Sequence, residues 1–372
     1  IHQVFETLKK IAESSGPGSV DVKIELLSNL FRESDSLSAR FIARIPVGRL
    51  RLGFSNMTVL DALSWSIGGS KEYRKPLEAA FNVRPDLGLI AKLVKEKGVK
   101  GAEKINPAVF NPILMARAER LSSGAEIIEK IGKCAVEPKF DGFRLQVHVK
   151  KVKSEKLKVK SSKFEIKIFT RGLEDVGFMY PDIVAGIEKQ LDVDEAIIEG
   201  EALAYNPKTD EFLPFQETTQ RKRKYGIEEK ALELPLRLMA FELLYLDGKS
   251  YLNEPYTEQR KKLSKVIKKG NTIVLSQETE TDDPKILESM FDEFLTGGLE
   301  GIMAKRLDGV YQAGARGWNW IKLKRSYSAS ALNDTIDALV MGYYAGRGKR
   351  TAFGIGGFLI GVYDEKQDKF VT

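Results

Sequence analysis

The chain has 372 residues, enough for two or three domains, and its 42% hydrophobic content allows sizeable cores. Lys+Arg at 59 against Asp+Glu at 52 leave a net charge of +7, which favours a polyanionic partner. The single cysteine, Cys134, excludes an intrachain disulfide and a four-cysteine zinc site; His2 and His148 are too few for a histidine-built metal site; and no apolar run reaches the ~18 residues of a membrane span.

Residues 1–105 read as helical. Val4 to Ala12, Val22 to Phe31 and Thr58 to Ile67 repeat apolar residues at steps of three and four. Ser55-Asn56-Met57-Thr58 offers cap-type residues to the last of these helices. Just upstream, Arg49 and Arg51 occupy alternate positions in the segment Gly48 to Phe54. Two guanidinium forks beside free helix N–H groups suit a phosphate, and a solvated basic loop fits the same residues.

Near Asn106-Pro107 the pattern changes. Strands are expected at Phe143–Val149, Phe164–Thr170, Ala196–Tyr205, Leu236–Leu246, Thr272–Leu275 and Gly301–Lys305, with helices at Asp182–Leu191, Glu258–Lys268 and Pro284–Thr296. This predicts a sheet-rich α+β domain. The lysine-dense stretch from Lys150 to Lys167 reads as a solvated hairpin edge. After Tyr327, strands at Asp337–Tyr344 and Gly357–Tyr363 flank Gly346-Arg347-Gly348-Lys349-Arg350, and Lys369-Phe370-Val371 begins a third.

Chemistry concentrates at Glu137-Pro138-Lys139-Phe140-Asp141-Gly142-Phe143-Arg144. A lysine spaced this way from an acid, a glycine and an arginine suits a nucleophile directed at a nucleotide phosphate. Its amine attacks only when neutral, so burial or neighbouring cations must lower its proton affinity. Gly142 permits close backbone approach, and Arg144 offers a fork for phosphate or ribose oxygens. A strand followed by an ordinary Asp-Gly turn has the same sequence.

Other segments supply what such a lysine needs. Arg171 ends the Phe169-Thr170-Arg171-Gly172 run, Glu199 and Glu201 share a strand face, Phe241 offers a ring for a base, Leu299-Glu300-Gly301 precedes a strand ending in Lys305, and Trp320-Ile321-Lys322-Leu323-Lys324 aligns two lysines. Each has a plainer reading: Phe241 as core, the acids and lysines as half-exposed strand residues. Together they provide an amine, phosphate-binding cations, acids for Mg²⁺ and an aromatic shelf.

In this order the motifs resemble the covalent nucleotidyltransferase superfamily, and most closely the ATP-dependent DNA ligases of the archaeal and eukaryotic replicative type. Leu213-Pro214-Phe215-Gln216, Arg221-Lys222-Arg223-Lys224, Ala240 to Gly248 and Gly346 to Phe358 extend the match over the whole chain. The resemblance implies a multidomain α and α+β fold: a helical DNA-binding domain (1–105), an adenylation domain with antiparallel sheets (106–326) and an incomplete OB-fold (327–372). It implies that Lys139 forms lysyl-AMP, that Glu137 and Phe241 recognise adenine, and that Arg144 and Arg171 contact ribose or phosphate. Glu201 then holds ribose or metal, Glu300 a metal, and Lys322 and Lys324 the α-phosphate, while Arg49, Arg51, Arg347 and Lys349 go to DNA.

The implied activity is sealing of nicked double-stranded DNA with ATP and Mg²⁺ in replication, repair and recombination. The chain is expected to be a monomer in the prokaryotic cytoplasm with the nucleoid, or in the nucleus if eukaryotic, without membrane association. A sliding clamp is a further candidate partner, although no convincing clamp-binding peptide is present. Alternatives sharing the lysine motif are an RNA ligase and an mRNA capping guanylyltransferase; charge alone also fits a non-catalytic nucleic-acid-binding protein. Relative to the family, part of the helical domain and most of the OB barrel are expected to be absent, with the C-terminal basic motif that orients pyrophosphate. Weak self-adenylation is therefore expected. Ala304 stands where valine is usual, a change of small expected effect.

Overall fold

The computed structural model describes residues 1–48, 53, 55–152, 163–324, 338–346, 354–364 and 367–372. Contacts divide the chain into two compact units, Ile1–Phe81 with Asp86–Lys104, and Asn82–Pro85 with Ile105–Thr372. The first unit is helical throughout its described residues, with helices that include His2–Glu13, Ser19–Arg32, Asn56–Gly68 and Leu87–Lys97. Its apolar repeats bury Leu60, Leu77 and Ile90 completely. Helix starts follow cap chemistry: Asp35 accepts from the N–H groups of Leu37 and Ser38, and Asp86 from that of Leu89.

The second unit carries fourteen strands among its described residues: β1 (Arg117–Arg120), β2 (Cys134–Lys139), β3 (Phe143–Lys151), β4 (Phe164–Thr170), β5 (Glu195–Ala204), β6 (Leu236–Leu246), β7 (Lys249–Ser250), β8 (Ile273–Leu275), β9 (Thr279–Thr281), β10 (Gly301–Arg306), β11 (Arg316–Lys324), β12 (Leu339–Ala345), β13 (Ile355–Asp364) and β14 (Lys369–Val371). They form a five-stranded sheet ordered β1-β11-β10-β2-β9, a second sheet ordered β4-β3-β5-β6-β7 with β8 beside β6, and a three-stranded sheet β12-β13-β14. The expectation of antiparallel sheets needs correction at two places. β1 runs parallel to β11, and β8 parallel to β6. In both cases the chain returns through helical segments rather than a tight hairpin.

Alternation along each strand decides what is buried. Val136, Ile302, Ala304, Ile321 and Leu323 leave one face of the five-stranded sheet and pack against Ile127, Leu287, Phe291 and Phe294 from helices Gly124–Ile131 and Pro284–Thr296. Leu145, Val147, Ile198, Leu238 and Ala240 pack in the second sheet against Ile183 and Ile187 of helix Pro181–Gln190 and Leu263 of helix Tyr256–Val266. A third cluster, with Ile113, Ile197, Leu244, Tyr311 and Trp320, draws on strands of both sheets. Cys134 is fully buried, and burial pushes its thiol up to about 11.

The segment Phe140 to Gly142 is not a hairpin turn. β2 pairs with β10 and β9, whereas β3 pairs with β4 and β5, so the chain crosses there from one sheet to the other. A Cβ on Gly142 would collide with the Ala202 carbonyl of β5, so glycine is required for this approach. Lys139, the last residue of β2, therefore stands where the two sheets meet.

Candidate active site

Three strands build one wall of a cleft of about 260 Å³. In register across β2, β10 and β11 lie Lys139–Gly301–Lys324, Glu137–Met303–Lys322 and Ala135–Lys305–Trp320. The period-two alternation that sends Ile302, Ala304, Ile321 and Leu323 to the core turns these residues the other way. β3, β5 and β6 of the second sheet bring Arg144, Glu201 and Phe241, and Arg171 follows β4. The cleft is thus lined by seven of the residues named from the chain: Lys139, Glu137, Arg144, Arg171, Glu201, Phe241 and Lys322.

Lys324 and Glu300 join them from the side. The Glu300 carboxylate is an ion-pair partner of both Lys139 Nζ and Lys324 Nζ. Glu300 is thereby occupied by two amines, and among the described residues no group of three or more His, Cys, Asp or Glu is positioned to hold a metal ion. Glu201 lies beside Lys139 and Arg144. Burial pushes its carboxyl up to about 7, against the lowering fields of those two cations.

Glu137 reaches the cleft with its carboxylate already engaged. Lys305 Nζ donates to it at 3.1 Å, and the Tyr256 hydroxyl at 2.6 Å. Lys305 is only 1% exposed. Its other donors reach Glu242 Oε1 at 2.9 Å and the Phe241 carbonyl at 3.1 Å, and it lies 4.8–5.0 Å from the ring centres of Phe241, Tyr256 and Trp320. Burial pushes the Glu242 carboxyl up to about 7, with Lys305 opposing. Phe241 is half-buried beside the Arg144 guanidinium at 5.5 Å, so its ring serves both core and cleft.

Behind Arg144 runs a buried polar ladder. Arg144 donates to Glu199 at 2.5 Å and to the Ala116 carbonyl at 2.6 Å; Tyr311 donates to Glu199 at 2.9 Å and accepts from the Ala116 N–H at 2.9 Å. Gln146 donates to Glu199, and its Oε1 accepts from the Ile113 N–H and faces His148 Nε2 at 2.8 Å. His148 Nδ1 accepts from the Phe110 N–H, so the ring is the neutral Nε2–H tautomer. Burial, with help from Lys167, lowers its pKa to about 3. Lys305, Trp320, Tyr311, Met303 and Arg316 have no role in the sequence reading. For Lys305 and Met303 the signal was present, since both continue the face that starts at Gly301. Arg49, Arg51, Arg347 and Lys349 lie outside the described residues.

Residues 115–324 match the family model described as ATP dependent DNA ligase domain, and residues 1–64 the one described as DNA ligase N terminus. The chain belongs to the ATP-dependent DNA ligase family. Among relatives, it is 48% identical over 370 residues to a "Probable DNA ligase" of Dictyoglomus thermophilum, matching all of this chain and 61% of that protein. It is 42% identical over 376 residues to "DNA ligase 2" of Thermofilum pendens, again over the whole chain and 60% of the relative. The chain thus spans about three-fifths of the length of these ligases. A solved mycobacterial DNA ligase D complexed with ATP and MES is similar at 22% identity, over 69% of this chain and 71% of that one, with a TM-score of 0.43. Among the described residues, no helix is long and apolar enough to cross a membrane.

Proposed function

We propose that this chain carries the adenylation chemistry of a nick-sealing DNA ligase. The observation that carries the reading is one amine, Lys139 Nζ, held at the meeting of two sheets beside Glu300, with Glu201, Arg144, Arg171 and Lys322 lining the same cleft. The Lys139 ammonium leaves its ion pair, passes a proton to solvent and attacks the α-phosphorus of ATP as the neutral amine. The P–N bond forms as the bond to pyrophosphate breaks, which preserves the activation of the phosphate. AMP then passes to the 5′-phosphate at a nick, and the 3′-hydroxyl displaces it. Lys322 and Lys324 offset charge on the phosphoryl oxygens, and Arg144, fixed by Glu199 and the Ala116 carbonyl, is preorganised for ribose or phosphate. Phe241 and Met303 flank the space assigned to the base.

A Mg²⁺ ion fits the donor set. It favours one or two carboxylates completed by substrate phosphates and water; Glu201 and Glu300, both near Lys139, would supply two hard oxygen donors once the lysines that pair Glu300 turn to the phosphates. When bound it would neutralise charge on the transferred phosphoryl group. The helical unit is assigned to DNA binding and the β12-β13-β14 sheet to an OB-fold. Arg49, Arg51, Arg347 and Lys349 remain proposed DNA contacts.

The test is intact mass after incubation with ATP and Mg²⁺. Wild type gains one AMP and Lys139→Ala gains none; an adduct of equal yield on the variant removes Lys139 from the role. A panel of ATP, GTP and NAD separates this reading from a capping guanylyltransferase.

A further inference from the structure

The run Arg221-Lys222-Arg223-Lys224 looks uniform in sequence, but the fold treats its members oppositely. Arg221 is 1% exposed. It donates to both oxygens of Asp182 at 2.8 and 2.9 Å and to the Leu234 carbonyl at 2.6 Å, while Asp182 also accepts from the Leu236 N–H that opens β6. Lys222, Arg223 and Lys224 are exposed, and among the described residues none forms an ion pair. Tyr225, next in line, is 87% exposed. Glu228 and Glu229 follow in the first turn of helix Ile227–Glu233, where the helix dipole favours acids.

Exposed cations are commonly mere solvated surface. This strip differs in how it is mounted. The chain leading into it is tied twice: to β5, where the Thr218 hydroxyl accepts from the Ala204 N–H at 3.1 Å, and through Arg221 and Asp182 to the start of β6. Ala204 lies three residues beyond Glu201, roughly 10 Å along the strand, or about three base-pair steps of duplex. Both strands that anchor the approach to the strip also line the cleft, through Glu201 and Phe241.

We infer that Lys222, Arg223, Lys224 and Tyr225 form a docking strip for the sugar–phosphate backbone of the duplex beside the nick. The cations neutralise successive phosphates, and the Tyr225 O–H donates to a phosphate oxygen. No base is read, so the contact is sequence-blind. The inference rests on the proposed ligase reading and adds to it a surface that the adenylation chemistry does not require.

The test compares wild type with the triple variant Lys222→Gln, Arg223→Gln, Lys224→Gln. Each phosphate contact contributes a slope of about 0.9 in log affinity against log salt, so the variant should lose up to about 2.7 from the wild-type slope. Between about 50 and 200 mM salt, wild-type affinity for a nicked duplex then falls about 40-fold more than the variant's. Formation of the AMP adduct stays at the wild-type level. A slope change below about 0.9, less than one contact, overturns the strip. So does a loss seen equally with single-stranded DNA and no greater for duplex. If wild type binds nicked duplex and the variant matches it, the strip alone is wrong; if wild type forms no adduct and binds no duplex, the ligase reading itself fails.

Discussion

Lys305 is a cation that water scarcely reaches, and its three donors are all spent on Glu137, Glu242 and the Phe241 carbonyl. Removing one side of such a buried set strands the other. Lys305→Met should cost about 3–5 kcal/mol in urea unfolding at neutral pH, and adding Glu242→Gln should recover part of the loss. A single variant as stable as wild type would show that the cluster contributes little. Glu201 invites a pH experiment. With its carboxyl pushed up to about 7, the ionised form that the proposed metal or ribose contact requires appears only as pH rises through that value. Adduct formation should therefore climb between about pH 6 and 8, and Glu201→Gln should be slow and lack this limb. A flat wild-type profile over that span contradicts the assignment.

Strands rather than loops hold most of the reactive groups. Gly301 sits between Lys139 and Lys324 in register, at φ 143°, and a Cβ there would run into the Leu323 carbonyl. Gly301→Ala should therefore lower stability by about 1–3 kcal/mol and, by forcing β10 from β11, slow adduct formation as well. Thermal unfolding together with the adduct assay checks both effects. The alternation that predicts β10 and β11 was legible because one face is steadily apolar while the other carries Lys305, Lys322 and Lys324. The partner of β2 was not, because it is chosen by contacts with residues some 160 positions away, such as Gly301 opposite Lys139. Hence Phe140 to Gly142 reads equally well as a hairpin turn and as the crossover it is. That residues carrying motif spacing, such as Lys139 and Glu201, would share one cleft was readable in the chain. The supports were not: Arg221 passes for surface until Asp182 is seen beneath it, and Tyr311 earns notice only through Ala116 and Glu199.

For the molecule as a whole, the ladder from Phe110 to Arg144 makes acid a specific hazard. His148 is held neutral, with its pKa lowered to about 3 from an ordinary 6.5. An unfolded chain binds that proton first, so the stabilisation is whole above about pH 6.5 and drains as pH falls towards 3, reaching a loss of about 2 kcal/mol by pH 5. Urea midpoints for wild type at pH 7 and 5 should differ accordingly, and His148→Gln should narrow the gap. An unchanged gap would assign the acid limb to other groups.

One quiet atom makes such measurements easier. The only sulfhydryl in the chain, at Cys134, is shut inside the five-stranded sheet's core and holds its proton well beyond neutral pH. A maleimide dye should ignore it in the native protein. A cysteine introduced at Tyr225 would then be the sole reactive handle, and energy transfer to a fluorophore on the duplex could report how near the strip comes to the nick.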